Sequence, residues 1–145
     1  MKKAAALILA LAVLLLCFAG CARTEAEKLS RSYNVVISVE IQGELVGKKM
    51  ELEWEVNGVN AGTKVSAPPE GGYSAGDVVN FRLMEDDLKK GMNVKARVLL
   101  LGYNGVGQSC GPAVPLELKF GEVYYLRVSG TNAGDAVTEQ IFPEE

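Results

Sequence analysis

The chain has 145 residues, no histidine, three cysteines and a formal net charge of −3. Histidine-based triads, histidine acid–base chemistry and histidine zinc ligands are therefore excluded, and three thiols cannot build a four-cysteine metal site. No lysine and arginine cluster supports a nucleic-acid surface, and neither a metal nor another cofactor is expected.

Lys2 and Lys3 precede an uncharged apolar run over residues 4–19. A short basic region followed by such a run reads as an export signal and is set aside from the fold. The run is shorter than the roughly 20 residues that span a bilayer comfortably. It closes on Cys17-Phe18-Ala19-Gly20-Cys21. The Ala19-Gly20-Cys21 step resembles the lipobox of bacterial lipoproteins. The resemblance implies a diacylglyceryl group on the Cys21 thiol, cleavage before Cys21, and fatty acylation, such as palmitate, of the new amine. Each buried CH₂ of such chains contributes about 0.8 kcal/mol, so two or three chains anchor firmly. Ala22-Arg23 follows the cysteine without an aspartate. Within that family this implies the outer membrane of a diderm bacterium, or the outward face of the plasma membrane in a monoderm. The resemblance covers residues 1–21 and assigns no family to the rest.

Three segments are expected: a signal peptide over 1–20, the lipidated cysteine and a flexible tether over 21–32, and one domain over 33–145. The polar stretch 22–32, ARTEAEKLSRS, suits a tether or a first helical turn. Without the leader the chain would keep 125 residues, enough for one domain with a real core. Those residues carry 13 basic and 18 acidic side chains, a balance of −5.

Alternation predicts the strands. Tyr33, Val35, Ile37, Val39 and Ile41 share one face of the first. Met50, Leu52, Trp54 and Val56 share one face of the second, with Glu51, Glu53 and Glu55 on the other. Asn57-Gly58 is a tight-turn pair, and a short third strand is expected over 63–67. Residues 77–84 and 93–103 supply two more, joined by a helical turn or a polar connection over 85–91. Val98–Leu101 is continuously apolar and suits a core or an interface. After the Gly/Pro-rich stretch 104–115, strands over 116–120 and 123–129 read as a hairpin, and 136–142 as a final edge strand. Seven or eight short strands without a long helix predict an all-β immunoglobulin-like or related Greek-key β-sandwich, with a small closed β-barrel as the alternative.

The candidate sites follow from this pattern. Three carboxylates on one extended strand are about 6.6 Å apart in sequence, too far to close around one small ion. Glu51, Glu53 and Glu55 therefore read as a solvated face, paired with Lys95, Arg97, Arg82 and Arg127 on neighbouring strands, or as a surface for a protein partner with Leu99 and Leu101. Tyr73 and Tyr103 lie in glycine-rich loops and are candidates for carbohydrate or small-ligand contact. Cys110 is expected to be a buried thiol, with a disulfide to another chain as the alternative. No nucleophile elbow, phosphate loop or dinucleotide fingerprint is present. The expectation is a non-catalytic, lipid-anchored domain of the bacterial cell envelope that binds or supports another envelope protein. Carbohydrate binding and carboxylate-based catalysis are the alternatives.

Overall fold

The alternating segments form nine strands in the computed structural model, which describes residues 25–43, 45, 49–102 and 105–143. They are β1 (Asn34–Ile41), β2 (Lys49–Val56), β3 (Val59–Val65), β4 (Val78–Met84), β5 (Asn93–Leu101), β6 (Gly107–Ser109), β7 (Val114–Glu117), β8 (Val123–Ser129) and β9 (Val137–Ile141). A short helix, α1, over residues 25–29 precedes β1, and a 3-10 turn, Glu85–Leu88, joins β4 to β5. One sheet has the order β4-β1-β8-β9; the other has β3-β2-β5-β6, with β7 also paired to β5. The two sheets face each other as an all-β sandwich. Among the described residues no strand pairing joins one sheet to the other, so the barrel alternative does not form.

The apolar faces meet in a single core. Val35, Ile37, Val39 and Ile41 from β1 pack with Met50, Leu52 and Trp54 from β2, and with Val94, Ala96, Val98 and Leu100 from β5. Asn57 (φ 53°) and Gly58 (φ 78°) both occupy the left-handed region, which a two-residue hairpin turn between β2 and β3 requires. That tight turn starts β3 at Val59, earlier than the expected residue 63.

Trp54 is the bulkiest fully buried side chain. Its strand neighbours are small: Gly62 on β3 and Ala96 on β5. A Cβ at Gly62 would overlap Cζ2, Cε2 and Cη2 of the indole. The buried Trp54 Nε1 has no hydrogen-bond partner, so packing rather than polarity holds the ring.

Two other connections differ from expectation. β7 and β8 do not form a hairpin: β7 pairs with β5, whereas β8 pairs parallel with β1 and antiparallel with β9. The chain between them crosses from one sheet to the other, so that both strands bury their apolar residues in the shared core. The short strand β6, within the Gly/Pro-rich stretch, pairs with Leu99–Leu101 of β5. β6 and β7 thus occupy successive halves of one β5 edge.

Running β1 from Asn34 to Ile41 defines the two ends of the sandwich. The first end carries the β2–β3 turn, the 3-10 turn, the β7–β8 connection and α1. The other carries the loops 66–77 and 130–136, while residues 110–113 step between β6 and β7 midway along β5. Residues 25–33 are not a free tether. Buried Asn34 accepts the Arg31 N–H at 2.9 Å and donates to the Leu29 carbonyl at 3.1 Å. The Ser30 hydroxyl donates to the Gly121 carbonyl at 2.6 Å, and Ala26 of α1 is buried. The expected signal peptide, residues 1–20, and residues 21–24 lie outside the described residues.

The Gly62 seat gives a direct test. Gly62→Ala should destabilise the domain by roughly 1–3 kcal/mol through overpacking against Trp54. Urea denaturation followed by Trp54 fluorescence measures this; an unchanged midpoint would refute the packing account.

Candidate functional site

The outer face of the β3-β2-β5-β6 sheet carries most of the residues singled out in the sequence. Because Trp54 and Leu52 point inward, Glu51, Glu53 and Glu55 point outward. Register then fixes their neighbours. Glu53 lies opposite Arg97 and Glu55 opposite Lys95 on β5, while Glu51 lies opposite Leu99. On β3, Val65 faces Glu51 and Thr63 faces Glu53. Of the expected bases, Lys95 and Arg97 are therefore beside the glutamates. Arg127 is not: it belongs to the other sheet, where its guanidinium lies 3.4 Å from Glu40 Oε2. Arg82 is also in that other sheet, opposite Val36.

The face divides into two halves. Towards the β2–β3 turn it is charged, with Glu53, Arg97, Glu55 and Lys95. Among the described residues no ion pair joins these opposed groups. Their proximity supplies a mixed-sign field rather than fixed bridges. Towards the opposite end it is more apolar, with half-buried Leu99 and Leu101 and exposed Val65 beside Glu51 and exposed Lys49. Gly107, opposite Leu101, leaves room beside Leu99: a Cβ there would come within 3.3 Å of Leu99 Cδ2. Glu51 sits in this apolar half. Desolvation, and then the neighbouring Glu53 carboxylate, hold its carboxyl above the ordinary carboxylate range.

No concave acid cluster accompanies this face. Among the described residues, no group of three or more histidine, cysteine, aspartate or glutamate side chains could hold a metal ion. Asp87 of the 3-10 turn is structural. It accepts the Met84 N–H at 2.8 Å and pairs with Lys64 at 2.9 Å, tying the 3-10 turn to β3.

Tyr73 is not displayed to solvent as its glycine-rich loop suggested. Gly71 (φ 90°) and Gly72 (φ 88°) turn the chain back, and the ring enters the core. Its hydroxyl donates to Ser66 Oγ at 2.6 Å and also approaches the Ala67 carbonyl at 3.1 Å. Ser66 in turn donates to the Met50 carbonyl at 2.9 Å. Tyr73 is thus an anchor for loop 66–77, and only its edge borders the shallow groove beside Asn80 and Arg82. Tyr103 lies outside the described residues, as does Cys21.

Cys110 occupies the step between β6 and β7. Its N–H donates to the Val98 carbonyl at 2.8 Å, and its side chain is fully buried in the core. Its carbonyl accepts the Thr138 hydroxyl of β9 at 2.5 Å, which closes that side of the sandwich. A disulfide to another chain does not fit this thiol, because no second sulfur can reach it without opening the core. Burial also pushes its pKa up to about 11, partly offset by a backbone hydrogen bond from Leu100.

No protein-family model and no curated protein matches the chain. Among solved structures, it is similar to the membrane-binding domain of pneumolysin, with 9% identity and a TM-score of 0.41, over 77% of this chain and 99% of that one. It is also similar to a non-hemolytic pneumolysin from Streptococcus pneumoniae strain ST306, with 10% identity, a TM-score of 0.41 and coverage of 78% of this chain and 24% of that one. Listeriolysin O gives 12% identity and a TM-score of 0.39, over 77% and 23% of the respective chains. The chain thus spans about a quarter of the length of the whole toxins it matches. At these scores the likeness carries no functional argument.

The Cys110 environment predicts a silent thiol. A thiol reagent at neutral pH should leave Cys110 unmodified in the folded protein and label it fully in denaturant. The raised pKa favours the protonated, folded state. Relative to Cys110→Ala, the stabilisation should be complete below pH 9 and fall as pH rises through about 11. Rapid labelling of the native protein would overturn this assignment.

Proposed function

We propose that the protein is a non-catalytic domain, anchored by lipid at Cys21 on the outer side of a bacterial membrane, that binds an envelope protein. In a diderm bacterium that membrane is the outer one. The observation that carries the protein-binding part is the divided outer face of the β3-β2-β5-β6 sheet. Leu99, Leu101 and Val65 supply an apolar centre, and Glu53, Arg97, Glu55 and Lys95 supply an adjoining charged margin. Such a combination suits a protein interface, in which desolvated apolar contacts give affinity and surrounding charges give orientation. The anchoring part rests on the basic and apolar leader and on Ala19-Gly20-Cys21.

The immunoglobulin-like or Greek-key subtype belongs to the same proposal. The chain changes sheet between β1 and β2, between β3 and β4, between β4 and β5, and between β7 and β8. These crossings support that subtype.

Photo-crosslinking from position 101 in the native envelope tests the partner. A specific adduct is expected, and Leu99→Asp should abolish it; because Leu99 is half-buried opposite Glu51, a stability cost of roughly 1 kcal/mol is expected, and Trp54 fluorescence checks that the variant remains folded. A crosslink that survives Leu99→Asp, or no specific adduct together with a clear hit in a glycan screen, would overturn the protein-binding reading.

A further inference from the structure

We infer that the α1 end of the sandwich rests on the membrane surface through Tyr33, Phe120 and Phe142. This inference deepens the proposed function and rests on the Cys21 anchor.

The chain between anchor and domain is short. Only Ala22, Arg23 and Thr24 separate Cys21 from α1. Extended backbone covers at most about 3.6 Å per residue, so Cys21 lies within about 14 Å of Glu25. The helix and its exit add roughly 7 Å before Ser30. Ser30 is itself fixed to the Gly121 carbonyl, and Asn34 fixes the turn between them. The anchor is therefore confined to about 22 Å around this end. Asn34 and Ile41 at the two ends of β1 are about 23 Å apart, so the loops that follow the far end of β1 lie beyond that reach.

Among the described residues, the exposed aromatic side chains are Tyr33, Phe120 and Phe142, with exposures of 55%, 40% and 77%. Tyr33 immediately precedes β1. Phe120 precedes Gly121, whose N–H donates to the Asn34 carbonyl at 2.8 Å, so these two aromatics flank one junction. Phe142 follows β9 as that strand runs towards the same end. The other large apolar side chains exposed there and elsewhere are valines. Tyrosine partitions to the boundary between headgroups and acyl chains, where its apolar body and wet tip are both accommodated, and exposed phenylalanine sinks its ring at the acyl side of that boundary.

The charge around the junction selects the kind of contact. Lys28, Arg31 and Lys119 are accompanied by Glu25, Glu27 and Glu122. A mixed ring of this kind gives little net attraction to anionic lipid. The contact is therefore aromatic and independent of headgroup charge.

Brominated-lipid quenching tests the inference. The full-length chain is produced in a bacterium that processes lipoproteins, its intact mass is measured, and it is reconstituted in brominated phosphatidylcholine vesicles. Trp54, buried in the core, supplies a constant background. Phe120→Trp should lose most of its added emission, with little effect of salt. Val106→Trp, beyond the opposite end of β5, should keep its emission. A mass showing the diacylglyceryl group with an unquenched Phe120→Trp would overturn the orientation alone. Equal quenching at both positions would also overturn it. A mass lacking the lipid would overturn the anchor, and with it this inference.

Discussion

An indole on an inner strand needs small neighbours, and Trp54 has Gly62 on one side and Ala96 on the other. That constraint ties three strands into one register. Gly62 must lie beside Trp54, so β3 must begin immediately after the Asn57-Gly58 turn and bulge between Trp54 and Glu55. Ala96 must lie on its other flank, which places Arg97 and Lys95 beside Glu53 and Glu55. A shift of one residue would expose the indole and bury a glutamate. The charged and apolar halves of the outer face are thus consequences of how the inner face packs.

The second constraint is the divided edge of β5. Its far half is paired by β6 and its near half by β7, and the chain must step sideways between them. Cys110 fills the core at that step, while Gly111 allows close approach to β9. A Cβ at Gly111 would lie 2.9 Å from the Ala136 carbonyl oxygen. The Thr138 hydroxyl then joins β9 to the Cys110 carbonyl. A small apolar thiol, a glycine and one hydroxyl together seal a sandwich side that has no strand pairing across it. This accounts for a buried cysteine without redox chemistry.

Strands whose two faces differ were legible from sequence: β1, β2, β4, β5, β8 and β9 all alternate, and the structure places them within one to three residues of the expected bounds. The segments that misled are those whose residues serve a distant partner. Asn60, Ala61 and Gly62 resemble an extended turn, yet Gly62 is small because of Trp54. Gly107-Gln108-Ser109 has no apolar alternation and is a strand only because β5 offers a free edge. Gly121-Glu122 resembles a hairpin turn, but the apolar residues on either side of it belong to different sheets. Tyr73 carried the same ambiguity: two glycines before it fit an exposed loop or a turn back into the core, and Ser66 decides between them. That Lys95 and Arg97 lie beside the glutamates was anticipated; that Arg127 pairs with Glu40 in the other sheet was not, because strand order is absent from local pattern.

The two proposed surfaces make different demands on orientation, and the topology lets both be met. An envelope partner would occupy the outer face of the β3-β2-β5-β6 sheet, which runs along the strands. The membrane contact would use the end of the sandwich, where Tyr33 and Phe120 flank the docked N-terminal segment. A face and an end are roughly perpendicular, so resting on the end leaves the face standing away from the lipid. A fully flexible tether would not preserve that division, because the domain could then lie down on the apolar patch around Leu99 and Leu101. The hydrogen bonds of Asn34 and Ser30 shorten the free chain and oppose that collapse. On this reading, the small polar clamp at the start of β1 keeps the partner surface available.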